Sequence, residues 1–333
     1  MIPNQWYAVL ESREVPRGKA IGVTRLGEKL VFWRDPLGDL TCFVDLCPHR
    51  GAALSLGRVA GDCLECPFHG FRYDQTGACR LIPANGRSAP TPKSNRVKTY
   101  TTRDAHGFVW MWWGEPREAL PPVPFFKDLD DSFSYSTLRD HWPVHYSRAI
   151  ENQLDVVHLP FIHATTIGRG NRTLVDGPLV RLEDDELAVW VYNRVDDGTP
   201  PLKPQEVPTP KRPPFLVFRF PSIWQLRIGD DYRILVAFVP IDEGNTLLYA
   251  RTYQRAVRVP ILREVASYVA NLSSRVIIGQ DKRVVITQRP IKTQLKMGEK
   301  LVQGDRPIVV YRSRREELIQ QAQPESPQPV EQA

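Results

Sequence analysis

The chain has 333 residues, 42% of them apolar, which suffices for roughly two domains with ordinary cores. Its formal net charge is +6, but the basic residues are scattered among acidic ones and form no block of the kind that binds nucleic acid. The opening MIPNQWYAVL lacks a basic segment followed by a long apolar run, and no later stretch approaches the span needed to cross a bilayer, so nothing argues for secretion or membrane insertion.

Residues 1–117 are rich in short β-type runs, among them Lys29–Trp33 and Phe108–Trp113, punctuated by Pro36, Gly38 and Gly77. This predicts a small all-β domain. The run Phe108, Trp110, Trp112 and Trp113 reads as strand packing, and His106 beside Gly107 reads as a turn residue. All five cysteines, Cys42, Cys47, Cys63, Cys66 and Cys79, fall in the first quarter, which fits a local metal site in a reducing cytoplasm better than a disulfide network.

Within this region stand Cys47-Pro48-His49-Arg50-Gly51 and Cys66-Pro67-Phe68-His69-Gly70, with sixteen residues between His49 and Cys66. Each loop offers one thiolate and one imidazole. A [2Fe–2S] centre with two cysteines on one iron and two histidines on the other needs both ligand types from each of two adjacent loops; neutral imidazole in place of thiolate raises its potential. The competing reading is tetrahedral zinc held by Cys47, Cys63, Cys66 and His69, although zinc knuckles usually pair like ligands within a loop. Cys42, Cys63 and Cys79 otherwise read as small buried thiols. In order and spacing, CPHRG followed by CPFHG resembles the Rieske cluster-binding motif, which implies Cys47, His49, Cys66 and His69 as the ligands.

Gly114, Pro116, Pro121, Pro122 and Pro124 read as a linker, because they suit neither a helix interior nor a central strand. His141 and His145 are four apart, but Pro143 spoils the helix that would align them as a zinc pair. Glu151–His158 predicts a helix with Asn152, Asp155 and His158 spaced by three on one face. Pro160 interrupts it, so the chain turns after His158 and brings His163 back toward it.

Further on, Glu186–Val195, Phe215–Ile228, Tyr232–Ile241 and Thr246–Arg255 read as strands; turns at 229–231 and 243–245 make the last three an antiparallel meander. The proline-rich stretch from Thr199 to Pro214 reads either as a pocket-covering loop or as an ordinary connection. After Pro260, the residues Ile261, Val265, Tyr268, Val269, Leu272 and Val276 recur at helical spacing, predicting a helix that covers one face of the sheet. Two histidines and a carboxylate hold ferrous iron with positions left open for dioxygen. Asp281, where this helix continues and can pass beside the histidines, is the expected third ligand. Residues 318–333 are predicted to be a disordered tail, being rich in Gln, Pro and Glu.

The string ENQLDVVHLPFIH resembles the mononuclear-iron motif of Rieske non-haem iron oxygenases, Asn-x2-Asp-x2-His-x4-His, and QDKRVVITQ resembles the segment carrying their third ligand. The length is similar to the shorter vanillate O-demethylase and dicamba monooxygenase type. The resemblance implies an α+β, helix-grip fold with a Rieske domain over 1–117 and a catalytic domain over 118–317. It also implies a homotrimer in which electrons pass between neighbouring subunits through Asp155, which links His69 of one subunit to His158 of the next. Asn152 retains two readings, an amide near the iron or a polar helix-packing group.

The implied activity is that of a terminal oxygenase. Electrons would come from a separate NAD(P)H-dependent flavin reductase, a ferredoxin, or both, since no nucleotide-binding glycine signature is present. They would serve O2 activation at Fe(II) held by His158, His163 and Asp281. Monooxygenation of a small organic substrate, aromatic or polycyclic, is the expected reaction, by hydroxylation or oxidative demethylation. Ring cis-dihydroxylation is the alternative within the family, and a Rieske electron carrier the alternative outside it.

Overall fold

The computed structural model describes residues 1–322, an α+β fold of four antiparallel sheets whose α-helices all follow His145. Three small sheets form the first part. One joins Gln5–Glu11, Phe108–Trp113 and Thr102–Ala105; another joins Ala20–Arg25, Glu28–Arg34, Leu40–Val44 and Thr99–Tyr100. The third, Arg58–Ala60, Cys63–Glu65, Arg72–Asp74 and Cys79–Leu81, is made of three-residue strands and carries the loops with the CPHRG and CPFHG motifs at its end. His106 takes a φ of 55° in the turn before Phe108 and stacks on Phe125.

The second part is built on a seven-stranded sheet. Its order is Ser134–Trp142, Thr246–Gln254, Tyr232–Pro240, Ile223–Arg227, Leu216–Arg219, Glu186–Arg194 and Leu174–Glu183. The meander is present, with two differences. The single strand expected over Phe215–Ile228 is two strands, turned at Phe220-Pro221-Ser222, where proline has no N–H for the ladder. The two edge strands went unread because SYSTLRDHW and LVDGPLVRLE bury few side chains and lack clean alternation.

The proline-rich loop lies along the sheet edge as a connection. Trp190 Nε1 donates to the Arg212 carbonyl at 2.9 Å, and Gln303 Nε2 donates to the Leu202 carbonyl at 2.7 Å.

Strand alternation gives the large sheet two buried faces. Ile223, Leu235, Ala237, Val239 and Tyr249 pack against Trp6, Ala8, Phe108, Trp110 and Trp112, so the aromatic run is core that joins the two halves. Leu187, Phe218, Trp224, Val236 and Leu248 face the helices.

Helix α1 (Tyr146–Leu154) is almost wholly buried, and a short α2 (Leu159–Ile162) follows it. Helix α3 (Pro260–Val285) forms as expected, but its apolar stripe does not cover the sheet: Ile261 and Tyr268 are 76% and 71% exposed, and Val265, Val269, Leu272 and Val276 also face outward. At 3.6 residues per turn, Leu272 lies about half a turn from Asp281, and it is the Asp281 side that points inward. There Asn271 accepts a hydrogen bond from Ser136 Oγ at 3.2 Å, and Ile278 and Val285 enter the core.

Helix α4 (Arg306–Gln321) buries Ile308, Tyr311 and Leu318, so order continues past the point where the tail was expected to begin. The remainder of that tail, 323–333, lies outside the described residues.

Candidate metal centres

The two motif loops fold alike. Cys47 N–H donates to the Ala52 carbonyl and Gly51 N–H to the Cys47 carbonyl, both at 2.8 Å; Cys66 N–H donates to the Phe71 carbonyl and Gly70 N–H to the Cys66 carbonyl, at 2.8 and 3.1 Å. Each loop closes through a glycine at positive φ, 73° at Gly51 and 70° at Gly70, where a side chain would be strained. Both cysteines are buried, whereas His49 and His69 are exposed with their rings 4.6 Å apart.

This matches a cluster whose cysteine-bound iron is inner and whose histidine-bound iron faces outward. Tyr73, which the sequence reading missed, places its hydroxyl 3.3 Å from Cys47 Sγ. Burial, with the adjacent Cys47, raises the Tyr73 phenol, so its hydroxyl keeps its proton.

The zinc alternative fits poorly. Among the described residues, the one group of three or more ligating side chains drawn within 4.8 Å of each other lies elsewhere. Cys63 instead points at Asp62, with Sγ 3.3 Å from the carboxylate, and burial together with that carboxylate pushes its thiol up to about 12.

The converging group is His158, His163 and Asp281. Local chain chemistry differs from the continuous helix expected over Glu151–His158. Helix α1 starts earlier, at Tyr146, capped by the His145 imidazole, and stops before Asp155. Asp155 Oδ1 accepts the backbone N–H of Val157 at 2.7 Å and of His158 at 3.2 Å, an Asx-type turn that competes with helix. Pro160 sits in the first turn of α2, where its missing N–H costs nothing, so it starts a helix rather than ending one. One turn of α2 then carries His163 back beside His158, with ring centroids 5.3 Å apart.

Asp281 arrives from α3. Its Oδ1 is buried without a well-directed hydrogen bond, 3.0 Å from His163 Nε2 and 3.6 Å from His158 Nε2. Three lone-pair donors facing one point, one of them an unsatisfied carboxylate oxygen, suit a divalent cation such as Fe(II). Gln153 Nε2 supports the other oxygen of Asp281 at 3.4 Å, and Gln280 Oε1 lies 2.8 Å from His163 Nδ1. Neither glutamine was singled out from the sequence, because a hydrogen bond to a distant residue leaves no periodic signature.

Asp155 stands behind His158, its Oδ2 3.8 Å from Nδ1. Burial pushes its pKa up, but His158 and the two backbone donors outweigh burial, so the carboxylate lies below its usual range and is ionised at neutral pH. It lines a cavity of about 140 Å³ with Asn152, Glu299 and Asp305. Asn152 Nδ2 has no partner there among the described residues. The floor is a buried ion-pair network in which Arg312 clamps Glu151 at 2.7 and 2.8 Å. His145 is buried as the α1 cap and His141 is an exposed partner of Asn245, so these two do not pair.

Comparison with known proteins gives two family matches, a Rieske [2Fe–2S] domain over residues 5–101 and a vanillate O-demethylase oxygenase C-terminal domain over residues 142–321. Protein TIC 55 of Pisum sativum is 26% identical over 313 residues, 89% of this chain and 54% of that protein. The iron–sulfur subunit of the toluene-4-sulfonate monooxygenase system of Comamonas testosteroni is 32% identical over 169 residues, 50% of this chain and 48% of that subunit. This chain thus aligns with about half the length of each of these two relatives.

Among solved structures, dicamba monooxygenase bound to dicamba superposes with a TM-score of 0.73 at 20% identity, covering 96% of this chain and 98% of that one, which establishes the shared fold. With one domain match on the cluster-bearing part and another across the triad, the chain belongs to the Rieske non-haem iron oxygenases as an oxygenase component, a family that pairs a Rieske [2Fe–2S] cluster with a mononuclear iron using O2.

Proposed function

We propose that this chain is the terminal oxygenase of a multicomponent system, with a Rieske domain over 1–117 and a catalytic domain over 118–317. Cys47, His49, Cys66 and His69 hold the cluster; His158, His163 and Asp281 hold the mononuclear iron. The observation that carries the reading is the meeting of ligating atoms of these last three side chains within 4.8 Å of one another, the two histidines flanking α2 and Asp281 arriving from the distant α3. When bound, the cluster supplies electrons singly and the mononuclear iron offers open positions to dioxygen beside the substrate.

The chain's own residues do the positioning. Asp281 contributes the negative charge, Asp155 stays ionised behind His158, and the exposed His69 is free to meet an Asp155 carboxylate from a neighbouring copy in a homotrimer. Monooxygenation of an aromatic or polycyclic organic substrate is the favoured reaction. It is supported by relatives named as monooxygenases, one of toluene-4-sulfonate and one bound to dicamba.

Electrons come from a separate NAD(P)H-dependent flavin reductase, a ferredoxin, or both. The free cysteines suit a reducing cytoplasm, and no helix among the described residues is long and apolar enough to cross a membrane.

Iron analysis of anaerobically purified protein, followed by turnover of a panel of aromatic acids, aryl ethers, polycyclic amines and sterols with a surrogate reductase, tests the reading. Three irons per chain and an oxygenated product are expected. Two irons per chain after ferrous reconstitution, with no product, would reduce the protein to an electron carrier.

A further inference from the structure

A histidine ligates iron through one nitrogen only if its proton resides on the other. His163 is 1% exposed and turns Nε2 toward Asp281, so the proton must be held on Nδ1. The group facing Nδ1 is the Gln280 side chain, with Oε1 at 2.8 Å. An amide can present either its oxygen or its NH2 there, and the two choices select opposite tautomers.

Thr166 stands beside both residues. Its Oγ1 lies 3.0 Å from the same Gln280 atom and 3.3 Å from the His163 carbonyl, and its one hydrogen can go to Oε1. With the oxygen turned inward, Gln280 accepts from both Thr166 and His163 Nδ1. With the amide reversed, NH2 would face Nδ1 and drive the proton onto Nε2, against Asp281. His158 has no such partner among the described residues: its Nδ1 is buried without a hydrogen bond, and Asp155 is 3.8 Å away.

We infer that Gln280, held by Thr166, is the positioning residue that fixes His163 in its Nδ1–H tautomer. The inference rests on the proposed ligand role of His163. It also explains a constraint on α3: Gln280 and Asp281 are adjacent, so one turn of helix delivers both the carboxylate and the group that orients its neighbouring imidazole. Gln280 touches no reacting atom and acts only through His163.

The test uses full-length protein with its cluster intact and Co(II) as the probe of the mononuclear site. Gln280→Leu removes the acceptor, and Gln280→Glu keeps one. Gln280→Leu should lower Co(II) affinity about 10- to 100-fold, the usual cost of losing such a partner, while the cluster absorbance is unchanged. Gln280→Glu should bind Co(II) close to wild type. In the Co(II) protein the shifted Nδ1–H resonance of His163 should exchange slowly with water in wild type and Gln280→Glu, and rapidly in Gln280→Leu.

Equal Co(II) affinity in wild type and Gln280→Leu, or a Gln280→Glu variant as weak as Gln280→Leu, would overturn the inference alone. Wild-type protein that takes up no metal beyond the cluster would overturn the ligand assignment and the inference with it.

Discussion

Asp155 holds one carboxylate oxygen 3.8 Å from Nδ1 of His158 while the other accepts the backbone N–H of His158 at 3.2 Å. The same side chain therefore shapes the turn between α1 and α2 and keeps a negative charge behind the imidazole. Asp155→Asn separates these two jobs, because an amide oxygen can still accept the backbone bonds. The variant should keep both metals and the fold, yet lose about 10- to 100-fold or more in steady-state substrate oxidation. Turnover at the wild-type rate, with full iron content, would remove Asp155 from the electron route.

His158→Ala takes away one of the three donors that the described residues bring together, while the motif loops lie among the small sheets of the first part. Iron content should fall from three to about two per chain with the red-brown absorbance retained. A variant that lost the colour and kept the third iron would reverse the assignment of the two centres.

Much of this was legible in the sequence because the proposed ligands are rare residue types at short, fixed spacings. CPHRG, CPFHG and the His158–His163 pair could be read without knowing how distant segments meet. Asp281 was readable only because a long helix passes through it. What escaped was set by tertiary context. The α3 stripe of Ile261, Tyr268 and Val269 has perfect helical spacing, yet faces outward, since periodicity says that a face is apolar and not what covers it. The break at Asp155 was hidden because an Asx turn and a helix use the same residue at the same place. Gln280, Gln153 and Tyr73 act by hydrogen bonds to residues distant in the chain, which leave no pattern along it.

His145 gives a pH dependence with a definite sign. It is fully buried at the start of α1, its Nδ1 accepting the Ser147 backbone N–H at 3.2 Å. Burial, then the charge of Arg315, drives its pKa down from 6.5 to about 3; Lys292 and the N-terminal amine add to this, and Glu243 opposes it. The folded chain therefore keeps the ring neutral where the unfolded chain protonates it. The stabilisation is complete above about pH 6.5 and drains away as pH falls toward 3. His145→Asn keeps a capping oxygen without a titrating ring. Between pH 7.5 and 5, wild type should lose more denaturant midpoint than the variant; parallel losses would show that His145 does not set the acid sensitivity.

Arg312 and Glu151 join α4 to the helix that leads into the metal site, through two hydrogen bonds of 2.8 and 2.7 Å with side chains 2% and 5% exposed. Removing one partner strands the other charge in the interior. Arg312→Met should cost about 3–5 kcal/mol in chemical denaturation. The nearby Arg148, 3.6 Å from Glu151, offsets part of that loss, which places the expected value at the lower end. Arg312→Met combined with Glu151→Leu removes both charges and should recover most of the stability, as buried pairs replaced by apolar groups commonly do. Because the pair anchors α1 just before Asp155, the single variant should also bind the mononuclear metal more weakly than the double. If single and double variants were equally unstable, the loss would come from packing of the Arg312 stem rather than from an unpaired Glu151.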